Sequence, residues 1–117
     1  MHELSLCRSI YAVADRAREG RRPVEVIHLQ VGQLRQVVPQ TLQYCWTIVT
    51  DQTELHGSRL DIEHLAIRLR CEDCQTVTGV AHDLVLTCSR CGSARVSVTQ
   101  GEEFMLTSMD LGGGRDG

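Results

Sequence analysis

Four of the six cysteines in this 117-residue chain form two closely spaced pairs. The pairs are Cys71 with Cys74 and Cys88 with Cys91, and thirteen residues (75–87) separate them. Two residues between cysteines let a tight turn direct both sulfurs at one ion, and two such turns complete a tetrahedron of thiolates. The spacing therefore predicts a four-cysteine metal site, with zinc as the expected ion.

Two other interpretations of the cysteine pairs stay open at this point. Iron also accepts four thiolates, so a rubredoxin-like iron centre is a chemical alternative to zinc. Two disulfides are the second alternative. We recognise no secretory signal and no apolar run of the ~18–20 residues that would span a bilayer. We therefore expect a cytoplasmic protein with reduced thiols, which disfavours disulfides.

Hydrophobic periodicity outside the cysteine pairs predicts helices and strands in alternation. A helix is expected over residues 6–17 with Ser5 as its N-cap, and a second helix is expected to begin at Pro39. Strands are expected over four segments: 24–34, 60–70, 95–100 and 102–109. The apolar phase changes midway along segment 60–70, which predicts a bulge or a change of the buried face.

These elements predict an α+β fold, with two helices packed on a small mixed sheet and an inserted four-cysteine zinc-ribbon module. We expect residues 1–69 and 95–111 to form the α+β domain. Residues 70–94 are expected to form the zinc-binding domain, inserted between two strands, and residues 112–117 a flexible tail. A metal ion can hold such a small module together without a large core.

Composition argues against nucleic acid as the main partner. The formal net charge is −3, from 12 basic and 15 acidic residues, whereas phosphate binding usually needs a basic face. Aromatic residues make up 3% of the chain, and none lies between residues 47 and 103. A zinc-ribbon adaptor for nucleic acid or protein remains the alternative function.

The first three residues, Met1-His2-Glu3, contain a second possible metal site. The Met1 amine, the His2 backbone nitrogen and the His2 imidazole can chelate one ion in fused rings. The Glu3 amide nitrogen or another side chain can supply a fourth ligand. Square-planar nitrogen coordination suits Ni(II) or Cu(II) rather than structural zinc.

The two remaining cysteines, Cys7 and Cys45, lie on the apolar faces of the predicted helices. Lone cysteines in such positions usually behave as small hydrophobic side chains. We therefore expect both to be buried and to have no role in metal binding.

The combination of these motifs resembles the HypA/HybF family of nickel-insertion proteins for NiFe-hydrogenase. The resemblance rests on Met1-His2-Glu3-Leu4-Ser5, on Cys71-Glu72-Asp73-Cys74 and on Cys88-Ser89-Arg90-Cys91-Gly92. The family pattern is also matched by Val31-Gly32 followed by Leu34 and by residues 102–106. The resemblance covers the chain from Met1 to about Leu111.

This resemblance implies a nickel metallochaperone rather than an enzyme. Proteins of this kind bind one Ni(II) through the N-terminal segment and hold zinc in a cysteine domain. The resemblance implies that His2 is the nickel side-chain ligand, with Met1 and Glu3 as accessory groups. It also implies that the four paired cysteines are the zinc ligands. It also implies a HypB-type GTPase and the hydrogenase large subunit as partners, and some relatives serve urease maturation. No membrane or nucleic-acid partner is implied, and a monomer or a homodimer is compatible with it.

Catalysis is the remaining function class, and the sequence disfavours it. A catalytic zinc needs an open coordination position, which four cysteines close. His2 and Glu3 stand at a chain terminus, where groups for acid–base chemistry are poorly positioned.

Overall fold

The chain alternates helices with short strands that form two separate sheets. The computed structural model describes residues 2–18, 22–80 and 85–112. Its elements are α1 (His2–Ala17), β1 (Val24–Gly32), a 3-10 turn (Gln33–Arg35), α2 (Pro39–Thr50), β2 (Arg59–Leu65), β3 (Ile67–Cys71), β4 (Val77–Val80), β5 (Val96–Gln100) and β6 (Phe104–Leu111). The strand orders are β2-β1-β6 and β4-β3-β5. The predicted α+β class, with two helices and a four-cysteine module, is confirmed.

The chain divides into two compact units. The helical unit contains Met1–Gln30, Val37–Glu63 and Met105–Gly117, and the cysteine unit contains Val31–Gln36 and His64–Phe104. The cysteine unit is wider than the predicted segment 70–94 because it has its own sheet and its own apolar core. Which metal belongs to which unit stays a prediction, and residues 113–117 of the predicted tail lie outside the described residues.

The two helices bury one face each within the helical unit. Cys7 and Ile10 of α1 and Leu42 and Trp46 of α2 are buried, as their helical spacing predicts. α1 begins at His2, not at residue 6, so Ser5 is inside the helix and the prediction of Ser5 as N-cap is wrong. The acidic Glu3 in the first turn favours this earlier start, because a negative charge there offsets the helix dipole.

The predicted strand 60–70 is two strands that belong to different sheets. β2 ends at Leu65, β3 begins at Ile67, and Ala66 interrupts them. β3 pairs antiparallel with both β4 and β5. The phase change in the sequence therefore marks the passage from one sheet to the other.

The cysteine unit has a small core under its sheet. Ile67 and Leu69 of β3 are fully buried and cluster with Val80 of β4. Partly buried Leu34, Val96 and Val98 pack against this cluster. Apolar packing thus supports the module in addition to any metal ion.

A histidine bridges three strands of the helical unit's sheet. His28 on β1 places Nδ1 3.0 Å from Asp61 Oδ2 on β2 and Nε2 3.2 Å from Asp110 Oδ2 on β6. Ionised carboxylates only accept hydrogen bonds, so both ring nitrogens donate only when the imidazole is protonated. The hydrogen bond to Asp110 raises the pKa of His28, partial burial opposes the shift, and Asp61 adds to it. On the same sheet, the Glu63 carboxylate accepts a hydrogen bond from the Gln30 side-chain amide.

We predict that this bridge makes the stability of the protein depend on pH. A raised folded-state pKa stabilises the fold below the unfolded pKa, and that stabilisation disappears as pH rises through the folded-state value. The free energy of unfolding should therefore fall above about pH 6.5. Chemical denaturation at several pH values measures this, and His28→Gln should remove that part of the pH dependence. His56→Gln, at an exposed turn position, is the control. Equal pH profiles for the wild type and His28→Gln would contradict the assignment.

Gly32 allows two backbone segments to approach closely. Its N–H donates to the Glu103 carbonyl at 2.7 Å, and the Leu34 N–H donates to the Gly101 carbonyl at 2.8 Å. A Cβ atom at position 32 would overlap the Gly101 carbonyl. The close approach explains why position 32 requires a residue without a side chain.

We predict that Gly32→Ala destabilises the fold by about 3 kcal/mol, because backbone atoms must separate to admit the methyl group. Gly79→Ala is the matched control, since its Cβ would meet no atom within 4 Å. Chemical denaturation of both variants measures the difference. Equal stability of the two variants would show that the segments separate without cost.

Candidate metal centre

The two cysteine pairs lie in two turns of the same design. Cys71 ends β3 and Cys88 precedes β5 in the chain. In each turn the residue after the second cysteine, Gln75 or Gly92, donates its N–H to the carbonyl of the first cysteine at 3.0 Å. Both residues have positive φ, 66° and 76°. Gln75 thus adopts the left-handed conformation that glycine adopts in the second turn.

The four sulfurs converge on one point. All four Sγ atoms lie within 4.8 Å of one another. The Cys71–Cys91 and Cys74–Cys88 sulfurs are each 3.6 Å apart. All six cysteines are free, and these separations far exceed the ~2.05 Å of a disulfide bond. Four thiolates bonded to one zinc ion at ~2.3 Å would be about 3.8 Å apart, so the four sulfurs suit such an ion.

Backbone N–H groups point at the first sulfur of each pair. Asp73 and Cys74 place their amide nitrogens 3.3 and 3.4 Å from Cys71 Sγ. Arg90 and Cys91 do the same to Cys88 Sγ at 3.3 and 3.4 Å. The Cys91 amide, followed by the Arg90 amide, lowers the pKa of Cys88 to about 6. Such amides stabilise the thiolate form, which is the form that binds metal.

The second sulfur of each pair is less enclosed. Cys71 and Cys88 are buried, Cys74 is half-buried and Cys91 is exposed. Cys74 Sγ lies 3.2 Å from the Thr76 hydroxyl oxygen, and this hydrogen bond lowers the pKa of Cys74. Four thiolates leave no open position for a substrate, so the geometry suits a structural ion.

Glu72 and Asp73 lie between the first two cysteines, and they connect the first cysteine turn to the residues that follow the second cysteine turn. Asp73 accepts hydrogen bonds from the Ser93 hydroxyl at 2.5 Å and from Arg95 at 2.9 Å. The Glu72 N–H donates to the Arg95 carbonyl at 2.8 Å, and the Glu72 carboxylate accepts from Ser97. These contacts hold the two turns in register. Sequence reasoning missed them, because nothing in the pattern pairs Asp73 with a partner about twenty residues away.

The structure describes only part of the predicted N-terminal metal site. The backbone of His2 begins α1, whereas Met1 and the His2 side chain lie outside the described residues. Glu3 Oε2 lies 3.4 Å from the Val38 backbone nitrogen, beside the start of α2. The predicted grouping of Met1, His2 and Glu3 around an ion therefore stays a prediction.

Cys7 and Cys45 are separate from the four-sulfur cluster. Both are buried, and the Cys7 thiol donates to the Leu42 carbonyl at 3.4 Å. Burial, with smaller contributions from Cys45 and Glu3, raises the pKa of Cys7 to about 12. A thiol in that state does not ionise near neutral pH, which agrees with its predicted hydrophobic role.

Within the described residues, the four paired cysteines are the one group of three or more His, Cys, Asp or Glu side chains close enough to share an ion. The same residues contain no helix that is both long enough and apolar enough to span a bilayer.

Curated relatives match nearly the full chain. A hydrogenase maturation factor HypA from Geotalea uraniireducens (strain Rf4) is 34% identical over 113 residues, covering 95% of this chain and 99% of the relative. The protein of the same name from Roseiflexus sp. (strain RS-1) is 33% identical over 112 residues, covering 94% of this chain and 91% of the relative.

Solved structures match the fold. The solution structure of the Ni metallochaperone HypA from Helicobacter pylori aligns with a TM-score of 0.66 at 24% identity, covering 95% of this chain and 97% of that one. A second solution structure of a HypA protein gives the same TM-score at 23% identity, covering 95% and 96%.

A family model confirms the relationship over both candidate metal sites. The model described as hydrogenase/urease nickel incorporation, metallochaperone, hypA matches residues 1–111. The matched region includes the N-terminal segment and all four paired cysteines. The chain therefore belongs to the HypA family of hydrogenase and urease nickel-incorporation metallochaperones.

Proposed function

We propose that this protein binds Ni(II) at its N-terminus and delivers it during maturation of NiFe-hydrogenase, while a structural zinc ion holds the cysteine unit. The observation that supports this most directly is the family match over residues 1–111, which contains both predicted sites. The protein acts by ligand exchange with a partner and not by catalysis.

Nickel is the cargo, and its proposed ligands are the Met1 amine, the His2 imidazole and backbone nitrogens near the start of α1. The first four N–H groups of an α-helix have no acceptor within the helix. The backbone nitrogens of His2 and Glu3 are among these, so using them as ligands breaks no helical hydrogen bond.

The start of a helix is also a site from which a cation can leave. The helix dipole places partial positive charge there and disfavours a cation by about 0.3–1 kcal/mol. Loss of protons from the ligating nitrogens offsets this cost. The balance suits a cargo that must be released, and it makes nickel affinity dependent on pH.

Glu3 contributes to nickel binding through its backbone nitrogen. Its carboxylate lies 3.4 Å from the Val38 amide nitrogen, close to the first turn of α2. A negative charge is favourable in that position. The carboxylate therefore steadies the start of α1 against α2, and this leaves the backbone nitrogen of Glu3 as its metal ligand.

Zinc is the structural ion, and Cys71, Cys74, Cys88 and Cys91 are its ligands. The convergence of four sulfurs and the amide hydrogen bonds to Cys71 and Cys88 support this assignment. A zinc ion supplies four strong bonds that fix the two turns relative to each other.

The proposed setting is the cytoplasm, where thiols stay reduced. The proposed partners are a HypB-type GTPase and the hydrogenase large subunit, with urease maturation proteins as further candidates. A nickel ion bound by few protein ligands can exchange those ligands with such partners.

We predict saturable one-to-one nickel binding that is lost in His2→Ala. Calorimetric titration of Ni(II) into the zinc-loaded protein with a native N-terminus measures it. Affinity should fall as the pH is lowered, because the imidazole must lose its proton to bind. His56→Ala, at an exposed turn position, should bind as the wild type does. Unchanged binding in His2→Ala would move the site elsewhere in the chain.

We predict that Asp73→Ala releases zinc to a chelator roughly threefold to tenfold faster, because the first turn loses its contacts with Ser93 and Arg95. The release rate is followed with a chromogenic chelator. Arg90→Ala changes an exposed residue beside Cys91 and should leave the rate unaltered. If Asp73→Ala and Arg90→Ala release zinc equally fast, the network does not hold the site.

A further inference from the structure

One face of the cysteine unit's sheet is exposed over its whole width. We name it the arginine face, and it consists of Arg68 and Arg70 on β3, Val77 and Gly79 on β4, and Ser97 and Thr99 on β5. All six residues are exposed in the complete chain. Ile67, Leu69 and Cys71 are fully buried, so strand alternation directs Arg68 and Arg70 to solvent. The buried face thereby fixes the side of the sheet from which both arginine side chains project.

The strand register places uncharged residues directly opposite both arginines. Arg70 lies opposite Val77 and Ser97, and Arg68 lies opposite Gly79 and Gln100. Gly79 has no side chain to cover Arg68, and Val77 is 58% exposed beside Arg70. The face therefore combines two cations with an accessible apolar contact.

Nearby acidic groups are already occupied. Glu72 accepts a hydrogen bond from Ser97, and Asp73 is bound to Ser93 and Arg95. Among the described residues, neither Arg68 nor Arg70 forms an ion pair, and the Arg70 guanidinium donates to the neutral Gln75 amide. Two arginines that form no ion pair among the described residues thus share one open face of a chain whose net charge is −3.

We propose that the arginine face is a docking surface for an extended acidic segment of a protein partner. Alternate residues of an extended strand are about 7 Å apart and point to the same side. Carboxylates at alternate positions of such a segment match Arg68 and Arg70, which are themselves alternate residues of β3. Guanidinium groups bind carboxylates through paired hydrogen bonds, and arginine is enriched at protein interfaces. Val77 contacts an apolar side chain of the same segment.

Nucleic acid suits this face less well. Sheets that bind single-stranded nucleic acid stack bases on aromatic side chains, and this face has none. Two cations also neutralise few phosphates. The face therefore matches a short acidic peptide better than a phosphate backbone.

The test uses the isotope-labelled, zinc-loaded full chain and a short synthetic peptide with glutamate at alternate positions and valine between them. Titration followed by NMR should shift the amides of residues 68–70, 77–79 and 97–99. Arg68→Glu combined with Arg70→Glu should weaken binding roughly tenfold, since two exposed charge pairs are lost. Added salt should weaken binding to the wild type as well.

Arg8→Glu combined with Arg16→Glu is the matched control, because it makes the same charge change on exposed positions of α1. This variant should bind the acidic peptide within about twofold of the wild type. Arg68→Gln with Arg70→Gln replaces the reversal variant if that one fails to retain zinc. Equal weakening in the control, or full binding in either Arg68/Arg70 variant, overturns the proposal.

A single-stranded RNA serves as the competing probe. Shifts on the arginine face with RNA but not with the acidic peptide would replace the proposal with nucleic-acid binding. Because every residue involved lies in the cysteine unit, this outcome is independent of nickel binding at His2.

Discussion

The alternation of side chains along β3 is the constraint on which the cysteine unit depends. β3 is the central strand of its sheet and pairs with both β4 and β5. Its inward residues are first Ile67 and Leu69, which form the core, and then Cys71, the first metal ligand. The same alternation places Arg68 and Arg70 on the solvent side. A shift of one residue in this strand would expose the core, misplace the first sulfur and bury two charges.

The metal centre depends on backbone geometry as much as on cysteine identity. Each turn needs one residue in the left-handed region, which is Gln75 in the first turn and Gly92 in the second. These turns leave the amides of Asp73 and Cys74, and of Arg90 and Cys91, free to point at sulfur. The turns therefore present hydrogen-bond donors to the sulfurs of Cys71 and Cys88, which favours their thiolate form. The apolar core beneath it reduces how much of the fold the ion must stabilise.

The two proposed metal sites differ in how firmly the fold holds their ligands, and this difference matches their proposed functions. The proposed zinc ligands come from two turns whose positions are fixed by a sheet and by the contacts of Glu72 and Asp73. The proposed nickel ligands stand at the first residues of α1, where backbone nitrogens lack helical partners. Under the proposed function, the ion that must stay is bound by four thiolates, and the ion that must leave is bound near the start of α1. The proposed docking role of the arginine face would provide recognition of a partner apart from either ion.

The sequence by itself determined the features that depend on local spacing. The Cys-x2-Cys pairs predicted the four-sulfur cluster, and the apolar periodicity predicted both helices and the strand that begins at Val24. The N-terminal motif together with the two cysteine pairs predicted the family. These signals are readable because ligand spacing and side-chain periodicity are properties of neighbouring residues.

Only the tertiary structure decided the features that depend on distant residues. It divided segment 60–70 between two sheets, placed the border of the cysteine unit beyond residues 70–94, and gave that unit a core with Leu34. It also joined His28 to Asp61 and Asp110, and Asp73 to Arg95. Sheet pairing brings such residues together across 22 to 82 positions. No local pattern encodes that pairing, because it is fixed by how the whole chain buries its apolar surface.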